Sequence, residues 1–115
     1  MSKSYAPHIA IIQDAIVAIE RYRPASKEDF MANDLVQDAI LMRLQVIGEH
    51  LSRMRRIDED RFAAVAEPDW YKIIGLRHVF SHGYETIEWD LVWLFIHDLL
   101  SGFAVSLQAL EDERG

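Results

Sequence analysis

The residues best suited to chemistry lie close together between positions 70 and 84. Arg77 follows Trp70 by seven residues, so on a helix it continues the apolar face that begins at Trp70. A guanidinium stays charged in a protein, and on a half-buried face it needs a carboxylate, a phosphate or water. His82 titrates near neutral pH, and Tyr84 adds a phenol two residues later. The segment therefore gathers a fixed cation, a proton-transfer group and a phenol.

Arg77 and His82 together could cleave RNA through the attack of its own 2′-hydroxyl. The imidazole can move a proton, and the guanidinium can hold a phosphate while charge builds on its oxygens. This route requires neither a metal ion nor another cofactor. The alternative is that Arg77 forms a buried ion pair with Glu49 while His82 ends the helix, and spacing alone makes this structural interpretation the commoner one.

Two other groups of residues allow weaker functional interpretations. His78 and His82 are four residues apart, which is the separation of paired histidine metal ligands, but no suitable third ligand follows and there is no HExxH pattern. No metal site is therefore predicted. Arg53, Arg55 and Arg56 could line a path for phosphates, or they could be cations favoured at the end of a helix.

Composition restricts the class of protein. The chain of 115 residues carries a net charge of −7, contains no cysteine and is 50% hydrophobic, with five glycines and three prolines. We expect one all-α domain over residues 1–115 in the cytoplasm, with no signal peptide, membrane segment or disulfide. The acidity argues against a broad basic face for nucleic acid, but it allows a local basic groove.

Apolar periodicity predicts an amphipathic helix over 8–21, a longer helix over 34–55 and further helical segments at 61–66, 68–81 and 87–110. Ser26, Asn33 and Thr86 are the expected N-caps, and Gly83 is the expected C-cap.

Gly48 lies inside the second long helix, where glycine costs roughly 1 kcal/mol relative to alanine. This cost indicates that another part of the chain approaches closely there. The last helix has two apolar stripes, which is more than one neighbouring helix covers. It is therefore expected either at the centre of a bundle or at a subunit interface.

The spacing of these residues resembles the signature of HepT-like toxins of the HEPN superfamily. The Arg77-x-x-x-x-His82-x-Tyr84 motif is preceded by Trp70 and followed by Ile87 and Trp93. The segment from Arg43 to Glu49, with Val-Ile-Gly-Glu at its end, resembles a second recurrent segment of that family. The resemblance covers nearly the whole chain. One departure is His78, because asparagine is common after the arginine in the family.

The resemblance implies a helical bundle of four or five helices in an up-down arrangement that forms a homodimer. It also implies a metal-independent endoribonuclease site in a cleft between the two copies. Arg77 would then bind phosphate, and His82 would act as general acid or base. His78, Glu49 and Ser81 would support them, and Arg53, Arg55 and Arg56 would assist in binding RNA.

The family also implies a partner, a minimal nucleotidyltransferase that serves as antitoxin in a type VII-like toxin–antitoxin pair. In characterised pairs it transfers AMP to the motif tyrosine, which is Tyr84 here. The added bulk and negative charge beside Arg77 and His82 would block the site. Assembly with the antitoxin could extend beyond the dimer. The alternative from another class is a non-catalytic helical module that docks on the nucleotidyltransferase.

Overall fold

The structure is a computed structural model that describes residues 4–79 and 83–112, with the backbone alone for residue 112. Every regular element within these residues is helical, which confirms the predicted all-α class. Its α-helices are α1 (Ala6–Tyr22), α2 (Lys27–Met31), α3 (Asp34–Ile57), α4 (Glu59–Val65), α5 (Pro68–Gly75), α6 (Trp89–Leu94) and α7 (Leu100–Asp112). Short 3₁₀ turns span Leu76–His78 and Tyr84–Thr86, and a π-helical turn, Phe95–Leu99, joins α6 to α7.

Side-chain caps fix where α2, α3 and α4 begin. Ser26 accepts a hydrogen bond from the Asp29 amide, and Asn33 accepts one from the Val36 amide, which confirms both predicted caps. Asp58 caps α4 in the same way. Each of these caps satisfies an amide that has no partner within its own helix.

The core is built on α1 and α3, which pack side by side in opposite directions. Tyr5, just before α1, is fully buried and donates its hydroxyl to the Asp58 carbonyl, 2.7 Å away, at the far end of α3. The inward side chains of both helices recur every three or four residues, as helical packing requires. They include Ile9, Ile12, Ile16, Ile19, Ile40, Leu44, Ile47 and Leu51.

The last helix begins at Trp89 rather than at residue 87. Thr86 is not its N-cap, because it ends a 3₁₀ turn in which its hydroxyl donates to the Gly83 carbonyl, 2.6 Å away. Further along, the π-helical turn disturbs the regular pattern of hydrogen bonds, and Arg23 donates to the Ile96 carbonyl there. A side chain from the end of α1 thus satisfies a backbone group that the turn leaves available.

The two apolar stripes of the last helix have different environments. The stripe that contains Val92, Trp93, Ile96, Leu100, Phe103 and Leu107 is buried in the bundle, whereas Leu91 and Leu94 on the other stripe are 50% and 45% exposed. These two leucines and Leu99 line a groove of about 400 Å³ beside α5. By length and composition alone, the helix over Trp89–Glu111 could also cross a membrane, but it supplies core residues to the bundle.

The helix predicted over 68–81 is interrupted in the structure after Gly75. The α-helix ends at Gly75, and the chain tightens into the 3₁₀ turn of Leu76–His78. The Gln45 side chain lies beneath this turn, and with its amide nitrogen turned inward it donates to the carbonyls of Leu76 and Arg77. Residues 80–82 lie outside the described part of the chain.

Gly83, the predicted C-cap of that helix, donates its amide to the Val79 carbonyl, 2.9 Å away. This bond from residue i to residue i−4 is the one expected just after a helical turn.

A pair of histidines joins α1 to α3. The Nδ1 atoms of His8 and His50 are 2.9 Å apart, so one ring donates and the other accepts. Partial burial, followed by the nearby His8 and Arg53, lowers the pKa of His50, while Glu49 opposes this effect.

We expect the free energy of unfolding to fall as the pH drops below about 6.5, the pKa of an exposed histidine. Below that value the unfolded chain binds more protons at His50 than the folded chain, so acid favours unfolding. Because the pair is partly solvated, we expect a loss below about 1 kcal/mol. Urea titrations between about pH 7 and pH 5 would measure it. The His50→Gln variant should have a flatter profile, and parallel profiles would refute the assignment.

Candidate active site

One face of α3 holds the segment that carries the candidate chemistry. Asp38, Gln45 and Ser52 are spaced seven residues apart, so they lie on one side of the helix at intervals of about two turns. Ser52 and Asp38 form hydrogen bonds with Arg77 and Tyr84, and the Gln45 amide lies against the carbonyls of Leu76 and Arg77, to which it donates once its nitrogen is turned toward them. We call these three residues the polar stripe of α3.

Ser52 fixes the side chain of Arg77. The serine is only 3% exposed, and its hydroxyl accepts a hydrogen bond from Nη1 of Arg77 at 2.6 Å. The Nε atom of the same guanidinium donates to Nε2 of the exposed His78 at 3.0 Å. These bonds hold one edge of the guanidinium. Its Nη2 group forms no hydrogen bond with the residues that the structure describes, so it is the group best suited to bind a phosphate oxygen.

Glu49 is not the ion-pair partner of Arg77. Its carboxylate accepts a hydrogen bond from Nε of Arg53, one turn along α3, at 3.0 Å. That bond is the main reason why the pKa of Glu49 is lowered, and the charges of Arg77 and Arg56 lower it further. The alternative interpretation, a buried ion pair between Arg77 and Glu49, was wrong because Arg53, four positions away on the same helix, reaches Glu49 first. The resulting cluster of three arginines around one carboxylate is a local basic region on an acidic protein.

Tyr84 is held at the other end of the polar stripe. Its hydroxyl donates to Oδ1 of Asp38, and its ring meets the edge of Trp89 at a centroid distance of 6.2 Å. The bond to Asp38, followed by partial burial and the charges of Asp38 and Asp34, raises the pKa of the phenol. Tyr84 is therefore a protonated phenol that is aimed at a carboxylate.

The guanidinium and the phenol lie far apart within one copy of the chain. Their partners, Ser52 and Asp38, are fourteen residues apart on α3, which corresponds to about 21 Å along the axis. The expectation that a group on Tyr84 lies beside Arg77 is therefore not met within one protomer. Arg77 points toward the end of α3, whereas Tyr84 points toward its beginning.

The three arginines predicted to line a path for phosphates do not lie on one face of α3. Arg56 is exposed near Glu49, whereas Arg55 lies over the ring of Tyr71, 5.9 Å from its centroid, on another side of α3. Arg53 and Arg56 therefore lie on the side of α3 that carries Glu49, and Arg55 does not. Ser81 and His82 lie outside the described residues. Within residues 4–79 and 83–112, no group of three or more potential ligands could hold a metal ion.

Sequence reasoning missed the polar stripe. The available signal was the interval of seven between Asp38, Gln45 and Ser52 in a helix that is otherwise rich in apolar residues. Such spacing marks one face of the helix, and a polar side chain that becomes buried there, as Ser52 does, requires a hydrogen-bond partner. What the spacing could not tell is which segment of the chain supplies them.

Comparison with known proteins now decides the family. A family model described as ribonuclease HepT-like matches residues 12–110. This chain belongs to the HepT-like ribonuclease family. The matched range contains α3, the polar stripe and the whole segment from Arg77 to Tyr84, as the sequence resemblance suggested.

Individual relatives agree with this assignment. The chain is 26% identical over 88 residues to a Methanocaldococcus jannaschii protein named "Putative RNase MJ1380", covering 76% of this chain and 78% of the relative. It is 26% identical over 91 residues to "Putative RNase TTE0752" of Caldanaerobacter subterraneus subsp. tengcongensis, covering 79% and 77%. No solved structure matches the chain. Membership of this HepT-like chain in a ribonuclease family thus rests on sequence comparison.

Proposed function

We propose that this HepT-like protein is a metal-independent endoribonuclease and the toxin of a type VII-like toxin–antitoxin pair in the cytoplasm. The observation that carries the proposal is the half-buried Arg77, which Ser52 holds in place in the segment that the family model covers. A guanidinium that is already oriented can bind a phosphate with little loss of side-chain entropy. The arginines near Glu49 provide a positive potential for the approach of RNA.

In the proposed reaction, the ribose 2′-oxygen attacks the adjacent phosphorus, and the bond to the 5′-oxygen of the next nucleotide breaks. A base removes the 2′-hydroxyl proton, and an acid gives a proton to the departing oxygen. We assign proton transfer to His82 and the stabilisation of phosphate charge to Arg77. All these steps need only an imidazole and a guanidinium, which is why no metal ion is included.

We further propose that a minimal nucleotidyltransferase silences the toxin by adenylylating Tyr84. The phenol oxygen would attack the α-phosphorus of ATP, and pyrophosphate would leave. Asp38 already accepts the hydrogen bond of the phenol, so it is placed to receive the proton. The half-buried position of Tyr84 in a short turn at the surface is compatible with access for a partner enzyme.

The test compares protein purified alone with protein co-expressed with a neighbouring-gene nucleotidyltransferase. Intact mass and peptide mapping would locate AMP, and both preparations would be incubated with total RNA in the presence of EDTA. We expect the unmodified protein to cleave RNA. Neither the His82→Ala variant nor the adenylylated protein should cleave it. The matched variant Tyr84→Phe should remain unmodified during co-expression.

The same experiment distinguishes the alternative function. If folded, unmodified protein cuts no RNA but binds the nucleotidyltransferase, the chain is a non-catalytic helical module. If EDTA abolishes cleavage, the proposal of metal independence fails.

A further inference from the structure

Three exposed residues lie on one face of α5 and of the turn that follows it. Tyr71, Gly75 and His78 are spaced by four and three residues, so they return to the same side of the helix. Gly75 leaves the middle of this face open, because a Cβ there would have no neighbour within 4 Å. At one end, His78 accepts a hydrogen bond from Arg77. We call these three residues the exposed face of α5.

Tyr71, at the other end of this face, presents an aromatic ring to solvent. It is 41% exposed, and among the described residues no other tyrosine, tryptophan or phenylalanine is exposed. The buried ring of Phe62 meets the Tyr71 ring nearly at a right angle, with the centroids 5.8 Å apart, and so holds its orientation. The guanidinium of Arg55 lies 5.9 Å from the centroid of the same ring. Tyr71 therefore offers an oriented aromatic surface beside a fixed positive charge.

The ring of Tyr71 is adjacent to the guanidinium of Arg77 by two routes. On α3, Arg55 lies three residues beyond Ser52, which holds Arg77, and residues three apart are neighbours on a helix surface. Along α5 and its turn, Tyr71 is separated from His78, the other contact of Arg77, by about 10 Å. A chain of nucleotides bound at Arg77 can therefore extend across the exposed face of α5 to Tyr71.

We propose that Tyr71 and Arg55 form a binding subsite for an unpaired nucleobase of RNA, in which the base stacks on the Tyr71 ring and Arg55 binds an adjoining phosphate. The identity of this ligand rests on the proposed function, which places the phosphate to be cleaved at Arg77. Successive phosphates of a stacked strand advance about 3.4 Å, so the base belongs to a nucleotide within about three positions of that phosphate.

This subsite restricts the class of substrate. The bases of an RNA duplex are stacked on one another, and only an unpaired base can turn its face to a protein ring. The substrate is therefore single-stranded where it crosses α5. Because every base has a π-face, stacking requires a base without selecting which one.

The first test measures the binding of a fluorescein-labelled, 2′-O-methylated RNA strand by anisotropy. The methyl group prevents attack by the 2′-oxygen, so the strand stays intact. Tyr71→Leu should raise the dissociation constant roughly 5- to 150-fold, the usual effect of losing one stacked base. Tyr71→Phe should bind like the wild type, because the phenol hydroxyl forms no hydrogen bond with the described residues.

Tyr22→Leu is the matched control. The Tyr22 ring also lies against an arginine, with the guanidinium of Arg43 5.8 Å from its centroid. Arg43 is nine residues before Ser52, which places it on the opposite side of α3. Tyr22→Leu should therefore leave the dissociation constant unchanged.

Two further ligands separate the base from the phosphate. A strand of the same length built from abasic nucleotides retains the phosphates, and wild type and Tyr71→Leu should bind it equally. A duplex of the labelled strand should also bind equally to both proteins. Arg55→Gln should weaken binding of the normal and the abasic strand alike, and it should reduce the slope of log Kd against log salt concentration by about 0.7.

None of these measurements depends on RNA cleavage, so failure of this inference and failure of the proposed function can be told apart. Undiminished binding by Tyr71→Leu in a protein that cleaves RNA would overturn the subsite alone. Binding that requires Tyr71 in a protein that cleaves no RNA would support the subsite and overturn the proposed function. A wild type that does not bind the single strand, or equal losses in Tyr71→Leu and Tyr22→Leu, would also overturn the subsite. Circular dichroism would confirm that each variant is folded.

Discussion

Replacing Arg77 with lysine is expected to reduce RNA cleavage by roughly 100- to 1,000-fold, the usual cost of removing a donor to a reacting oxygen. Lysine retains the charge but lacks the planar fork that binds two phosphate oxygens at once. It also lacks the geometry that lets Arg77 bond to the buried Ser52 and still present Nη2 outward. Single-turnover rates on an end-labelled RNA would measure the loss.

Arg21 provides the matched control for this substitution. Its guanidinium lies 5.8 Å from the centre of the Tyr22 ring at the end of α1, away from the polar stripe. Arg21→Lys should leave the rate unchanged. Equal losses in the two variants, or none in Arg77→Lys, would contradict the role given to Arg77.

Ser52 should act through Arg77 rather than on RNA. Ser52→Ala removes the acceptor that orients the guanidinium, so we expect a loss of roughly tenfold, smaller than that of Arg77→Lys. Ser52→Thr retains the hydroxyl and should recover most of the rate. In an Arg77→Lys background, Ser52→Ala should reduce the cleavage rate little further, because the hydrogen bond between the two side chains is already lost.

Replacing Gly48 with alanine is expected to destabilise the fold by about 1–2 kcal/mol, even though alanine is the better helix former. A Cβ at this position would lie 2.3 Å from the Ile73 carbonyl oxygen and 3.1 Å from the carbonyl carbon. Both atoms belong to the backbone, so α5 must move away from α3. The loss should lower the melting temperature by roughly 4–8 °C.

Gly102→Ala is the control for Gly48→Ala. Gly102 is exposed in α7, and a Cβ there would have no neighbour within 4 Å, so alanine should stabilise the helix by about 0.5–1 kcal/mol. Opposite shifts in melting temperature would confirm that the approach of α5, rather than helix propensity, decides the effect at Gly48. Because α5 leads directly to Arg77, Gly48→Ala should also slow cleavage at temperatures where the protein remains folded.

The helices were predictable because their signals are local. Ser26 and Asn33 each cap the helix that they precede, and apolar periodicity located α1 and α3 to within a few residues. The close approach at Gly48 was also predictable, since an unfavourable residue inside a long helix requires a compensating contact. The end of α5 was not predictable, because the segment after Gly75 contacts residues of α3 that lie 25 or more residues earlier in the chain, such as Ser52 with Arg77.

The sequence by itself determined the residue types and spacing of the candidate site, the all-α class and the resemblance to the HepT-like family. Only the tertiary structure decided which partners these residues have. In the structure Glu49 is hydrogen-bonded to Arg53, Ser52 to Arg77 and Asp38 to Tyr84. The physical reason is that hydrogen bonds depend on distances of about 3 Å, and the packing of α5 on α3 sets those distances between residues far apart in the chain.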